Sequence, residues 1–183
     1  MKVGIVYTPK EIHPDVVAWL TEGWESNDYD QALHFLKHLS ALRRSVSLDA
    51  DYIVVIEEGA ILAPDFDKKV EAIANKMPFE YTTCLLTHYV TSWQGITYLE
   101  GSDYLLCHPT ENVLGSFAYL IRKSHVEHLL GLYDRPLRQL PHRHVSPEKI
   151  SRLGRLCMVV TPLVARLDRD HFKEYYGYYN FKE

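Results

Sequence analysis

Two adjacent carboxylates, Glu57 and Glu58, follow an apolar run and precede Gly59. Carboxylates at such a position can hold a divalent cation, and a glycine lets a ligand approach the backbone closely. The run itself, Tyr52–Ile56, is β-branched without alternation, which predicts a strand covered on both faces. Because ligands of open α/β sheets bind beyond the carboxyl ends of strands, the acidic pair is a candidate site. The alternative is a solvated strand end whose acids start a turn.

A basic segment between Arg135 and Arg155 is the second candidate. It holds six Lys or Arg side chains against one acid, Glu148, so it carries +5 in a chain whose formal charge is −4. Arg138 and Arg143 could clamp a diphosphate, because guanidinium forks bind phosphate oxygens bidentately. The same segment would suit a polyanionic acceptor such as nucleic acid, and the plainer interpretation is a solvated basic face.

Two histidines, His34 and His38, stand four residues apart on the most regular helical pattern of the chain. That spacing can bind zinc, but the sequence shows no third ligand beside them. We therefore interpret them as an ordinary pair on one helix face.

Composition limits the class of protein. The length of 183 residues predicts one domain over 1–183. The net acidic charge means that the chain as a whole has no positive potential to attract a phosphate backbone. No apolar run approaches the about 18 residues that a membrane span needs. The three cysteines form no CxxC pair and the N-terminus is polar too early for a signal peptide, so we expect a cytoplasmic protein.

The order of predicted elements indicates the fold class. A strand at 2–7 ends at Thr8-Pro9, helices follow over about 14–23 and 30–47, and another begins near Pro64. The second half contains strand candidates at 81–89, 95–99, 104–107, 116–121 and 156–160, and helix starts at Ser124 and Ser146. This order predicts a single α/β domain with a mainly parallel sheet and an antiparallel extension.

Three segments resemble family 25 glycosyltransferases, the relatives of lipooligosaccharide and collagen galactosyltransferases. The stretch Asp51–Phe66 resembles the family's central motif, in which an apolar strand precedes Glu-Asp-Asp, a short apolar turn and a Pro-x-Phe helix start. The helix with His38-Leu39-Ser40 is similar to the family's Ser-His-Leu helix, in a different residue order. Gly115–Lys123 resembles its Gly-x-x-Ala-Tyr-x-Ile-Ser-Arg segment, so the likeness covers roughly residues 30 to 132.

The resemblance implies a GT-A-type, Rossmann-like fold and transfer of a hexose, with inversion, from a nucleotide sugar such as UDP-hexose to a saccharide or other hydroxyl acceptor. In that family the acidic motif holds Mn²⁺ or Mg²⁺ at the donor diphosphate. Glu57 and Glu58 match its first two acids, whereas the third falls on Gly59. Either Glu58 ligates the metal, or the site works without metal, or catalysis is lost. Thr8 and Pro9 would lie at the nucleotide base.

An inverting transferase also needs a base near the acceptor hydroxyl. Asp134 is the first candidate, because the family often has a functional aspartate after the corresponding helix, and Asp103 is the second. The chain is short for the family, so a non-catalytic binding or scaffold protein with a degenerate transferase fold is the alternative. A further alternative is a transferase that acts on modified DNA. The aromatic tail Tyr175–Phe181 suggests a homo-oligomer contact.

Overall fold

A computed structural model of the chain describes residues 1–22, 26–87, 93–98, 105–109, 117–133, 157–161 and 163–167. In chain order the elements are β1 (Val3–Tyr7), α1 (Pro14–Thr21), α2 (Ser26–Ser45), β2 (Tyr52–Ile56), β3 (Ala60–Leu62), α3 (Phe66–Lys76), β4 (Thr83–Leu85), β5 (Trp93–Tyr98), β6 (Leu105–Pro109), β7 (Ala118–Arg122), α4 (Lys123–Tyr133), β8 (Cys157–Thr161) and β9 (Ala165–Leu167). The helix predicted to begin at Ser146 lies outside the described residues.

The described strands form a mixed sheet, and the alternation of strands and helices confirms the α/β class. Seven strands lie in the order β1-β2-β7-β4-β8-β6-β5, and β3 pairs separately with β9. The pairs β1–β2 and β4–β8 are parallel, and the other neighbours are antiparallel. Five of the seven strands thus share one direction. The antiparallel strands are not confined to an extension, because β7 is inserted between β2 and β4.

Helices cover both faces of this sheet. On one face, Phe35 and Leu39 of α2 pack in a buried cluster with Ile53 and Val55 of β2, together with side chains of α1 and α4. On the other face, α3 packs against the intervening positions of β2, which are Tyr52, Val54 and Ile56. All five residues of β2 are buried, which confirms the prediction of a strand covered on both faces.

Helix α2 is the element that carries the predicted histidine pair. It begins at Ser26, four residues before the predicted start, and ends at Ser45. Its apolar residues face the sheet, whereas Arg43 and Arg44 are exposed. None of the helices in the described part of the chain combines the length and the apolar character that a membrane crossing requires.

Short strands account for the main differences from the predicted elements. Ala60–Leu62 falls in the short apolar turn of the motif that the chain resembles, and no strand was predicted over 165–167, yet these segments pair antiparallel as β3 and β9. Of the strand predicted over 81–89, the structure describes residues 81–87, and among these the regular strand is Thr83–Leu85. Three residues contain too few alternations to carry a periodic signal, so only pairing with a distant partner reveals such strands.

Phe35→Ala tests how far packing of α2 holds the fold. The Phe35 ring has no exposed surface, so its removal should lower the free energy of unfolding by about 3–5 kcal/mol. Val46→Ala is the control, because Val46 is 40% exposed and should change stability by less than about 1 kcal/mol. Urea unfolding followed by circular dichroism measures both. Equal losses in the two variants would contradict the described packing of α2.

Candidate functional site

The carboxyl ends of β1 and β2 lie side by side at one edge of the sheet. Tyr7 pairs with Ile56 in the parallel register, and the Thr8 amide donates a hydrogen bond to the Ile56 carbonyl at 2.8 Å. On the other side of β2, the Glu57 amide donates to the Phe117 carbonyl at 2.7 Å. The first predicted acid is therefore held by its backbone between β1 and β7. This is the edge at which ligands of α/β sheets bind.

The Glu57 side chain turns inward, towards α2. It is 5% accessible, and its Oε1 lies 2.6 Å from Nδ1 of His34. Its other oxygen, Oε2, lies 3.7 Å from Nε2 of His38. The two histidines reach the same carboxylate because residues i and i+4 lie on one face of a helix. The structure thus supplies the third partner that the sequence did not show.

His38 extends this contact into the core. Its side chain is fully buried, and its Nδ1 lies 3.3 Å from the Tyr119 hydroxyl. The two rings stack with centroids 5.6 Å apart and an angle of 26° between their planes. Tyr119 pairs with Val55 in the antiparallel register of β2 and β7, so it lies two residues from the level of Glu57. The polar groups of α2, β2 and β7 form a continuous chain inside an apolar cluster.

The charge of Glu57 is maintained by these neighbours. Burial is the largest single influence and raises the pKa of its carboxyl group, but the adjacent imidazoles of His34 and His38 lower it to about 2. A carboxylate that accepts hydrogen bonds from imidazole rings is stabilised in its ionised form. Glu57 is therefore an anion at neutral pH despite its burial.

Two buried threonines lie at the same edge of the sheet. Thr8 directly follows β1 and Thr87 lies two residues after β4, and these two strands run in the same direction. Within the part of the chain that the structure describes, Oγ1 of each and Nε2 of His38 are buried without a hydrogen-bond partner. Buried polar atoms in this state are uncommon and typically mark places that take water or a ligand.

Glu58 differs from Glu57 in its surroundings. Its side chain is 45% accessible, and Oε1 lies 3.2 Å from Nζ of Lys10, in the loop after β1. Gly59 follows with a φ of 85°, and the Ala60 amide donates back to the Glu57 carbonyl at 3.2 Å. A positive φ favours glycine, so the residue at the position of the family's third acid is explained by the backbone of this turn.

Among the described residues, the predicted metal ligands Glu57 and Glu58 do not form one set of metal-binding groups. No group of three or more His, Cys, Asp or Glu among them is arranged to hold a metal ion. Glu57 is occupied by two imidazoles, and Glu58 is paired with Lys10. Binding of Mn²⁺ or Mg²⁺ by these two acids stays a prediction.

The other predicted site residues divide into two groups. Thr8 is buried and Pro9 half-buried, both at the carboxyl end of β1 as expected. The remaining candidates lie outside the described residues, and these are Asp103, Asp134, Arg138 and Arg143. Tyr119 and the contacts of His34 were not predicted. The spacing of the histidines was the available signal, but their carboxylate lies 23 residues from His34 on another element.

Comparisons with known proteins leave the family open. No protein-family model matches the chain, and no curated protein sequence is significantly similar to it. Function is therefore inferred from the residues and the geometry at the carboxyl ends of β1 and β2.

Glu57→Gln should reduce the dependence of stability on acid pH. Because its folded-state pKa of about 2 lies below the ordinary 4.5, ionised Glu57 stabilises the fold above pH 4.5, and this contribution is lost as pH falls through 2. The wild type should lose on the order of 3 kcal/mol over this window, and the variant should lack that slope. Urea unfolding between pH 2 and 7 measures it. The exposed Glu71→Gln variant should keep the wild-type slope, and an unchanged slope in Glu57→Gln would contradict the assigned contacts.

Gly59→Ala tests the left-handed turn. A methyl group at a φ of 85° should cost about 1–2 kcal/mol and lower Tm by about 2–8 °C, whereas Gly59→Asn should cost less because asparagine tolerates this region. Thermal unfolding of the two variants measures the difference. Equal Tm values for Gly59→Ala and the wild type would show that the turn does not require a positive φ.

Proposed function

We propose that the chain is a nucleotide-sugar-dependent glycosyltransferase of GT-A type, which transfers a hexose from a UDP-hexose donor to an acceptor hydroxyl with inversion. The observation that carries the proposal is the position of the acidic turn. Glu58 and Gly59 stand at the carboxyl end of a fully buried strand, next to the loop that begins at Thr8. The carboxyl ends of strands are where α/β sheets bind nucleotides, and the resemblance to family 25 implies that the donor binds at this position.

The chemistry of the turn supports diphosphate binding in particular. Gly59 has no side chain to obstruct approach to the backbone, and Lys10 brings a cation to the same turn. The hydrogen bond between buried Glu57 and His34 joins the start of the turn to α2. A rigid turn with accessible backbone and a nearby ammonium group suits a diphosphate, whose negative charge must be compensated while the glycosidic bond breaks.

The described residues favour compensation by side chains over compensation by a metal ion. Since Glu57 is enclosed and Glu58 is paired with Lys10, the two acids of the motif do not fit a joint metal site. We therefore derive no step through a metal. Lys10, with Arg138 and Arg143 of the basic segment, is proposed to bind the diphosphate, as Lys and Arg commonly do.

A thermal-shift panel with UDP, GDP and CMP sugars tests donor binding. One donor at 100 times its Kd should add about 2.7 kcal/mol of stability, which for this size of chain raises Tm by about 5–10 °C. The rise should persist in EDTA. A rise that needs Mn²⁺ would retain the transferase and overturn metal-free binding, and no rise with any donor would contradict the proposal in favour of a binding or scaffold protein.

Lys10→Ala locates the donor. This substitution should reduce the Tm rise to less than half, because it removes the cation beside Glu58. Lys68→Ala is a matched control, since both lysines are 84% accessible and both pair with one acid. If the two variants lose the same part of the shift, the donor does not lie at this turn.

A further inference from the structure

His34 and Glu57 form a carboxylate–imidazole pair at the candidate site. Nδ1 of His34 lies 2.6 Å from Oε1 of Glu57, and the carboxylate is 5% accessible. Because an ionised carboxylate can only accept, Nδ1 carries the proton of this hydrogen bond. When the ring is neutral, its lone pair is then on Nε2. A buried carboxylate that fixes the tautomer of a histidine is the arrangement by which enzymes prepare a general base.

We propose that His34, oriented by Glu57, is the general base that takes the proton of the acceptor hydroxyl. The inference rests on the proposed function, because it assigns a residue to that transfer. It replaces Asp134 and Asp103, the candidates from the sequence, with a residue whose partner and orientation the structure describes.

His34 suits this role better than His38, although both contact Glu57. The His34 side chain is 13% accessible, so part of its ring can meet a substrate, whereas His38 has no accessible surface. His38 is also held on its other side by the hydroxyl and ring of Tyr119. His38 and Tyr119 therefore hold the carboxylate in place, and Glu57 holds His34. Glu57, His38 and Tyr119 are positioning residues.

The proposed step balances as a displacement at the anomeric carbon. The acceptor O–H bond breaks and its proton goes to Nε2 of His34, while the acceptor oxygen forms a bond to the anomeric carbon. The bond from that carbon to the diphosphate oxygen breaks, and its electron pair leaves with the nucleoside diphosphate. The resulting imidazolium lies against the Glu57 carboxylate, whose charge is little screened at this depth and stabilises it.

Labelling with diethyl pyrocarbonate tests the pair without any donor. The reagent acylates a neutral imidazole nitrogen, and mass spectrometry gives the rate at each histidine. His34 should react in the folded protein, and Glu57→Gln should slow it at least fivefold while the rate at exposed His13 stays unchanged. A His34 that remains unmodified after His13 has reacted completely would overturn the proposal, as would a rate that does not depend on Glu57.

His34→Asn tests the catalytic role. Asparagine keeps a donor close to the position of Nδ1 but has no basic nitrogen, so the hydrogen bond to Glu57 can persist. Release of UDP from UDP-hexose, with water as the acceptor, should fall at least about 100-fold in kcat. The Tm rise with the donor should stay within 1 °C of the wild type. Imidazole added to His34→Ala should restore part of the turnover, which a purely structural histidine would not allow.

The failures of the two proposals are distinguishable. Donor binding with turnover in His34→Asn within threefold of the wild type would overturn the base and leave the transferase intact. His128→Asn, at an exposed position of α4, is the activity control and should change kcat less than twofold. If the wild type binds no donor, both the proposed transferase function and the proposed role of His34 as its base are overturned. The labelling result then shows only whether the imidazole of His34 is reactive beside Glu57.

Discussion

The burial of one negative charge, that of Glu57, is the constraint on which this edge of the molecule depends. A carboxylate 5% accessible at the end of a buried strand is unstable unless donors surround it. Helix α2 supplies two imidazoles, and the second is itself held by Tyr119 from β7. The contact therefore joins a helix and two adjacent strands through polar groups, in addition to the apolar packing between them.

The sheet topology makes this contact possible. Insertion of β7 between β2 and β4 brings Tyr119 beside Val55, two residues before Glu57. The parallel pairing of β1 with β2 brings Thr8 beside the same turn. Side chains from segments far apart in the chain thus meet within one layer. If β7 lay at an outer edge of the sheet, Tyr119 would not contact His38, the second histidine beside Glu57.

The two acids of the motif have separate roles in this structure. Glu57 is buried and holds α2, whereas Glu58 is accessible and paired with Lys10. Gly59 stands at the position of the family's third acid with a φ of 85°, a backbone conformation that favours glycine. In the proposed function, cationic side chains and the backbone of the turn bind the diphosphate, and the inward-facing Glu57 orients its neighbours. The proposed base at His34 uses that orientation.

Much of the fold could be predicted from local patterns. The buried strand Tyr52–Ile56, the helical face of α2 and the α/β class follow from hydrophobic periodicity, which depends on neighbouring residues alone. The acidic turn was predicted from its position after that strand. The place of β7 and the pairing of β3 with β9 were not, because strand pairing depends on contacts between distant segments. For the same reason the sequence determined that His34 and His38 share a helix face, and only the tertiary structure decided that Glu57 lies between that face and the sheet.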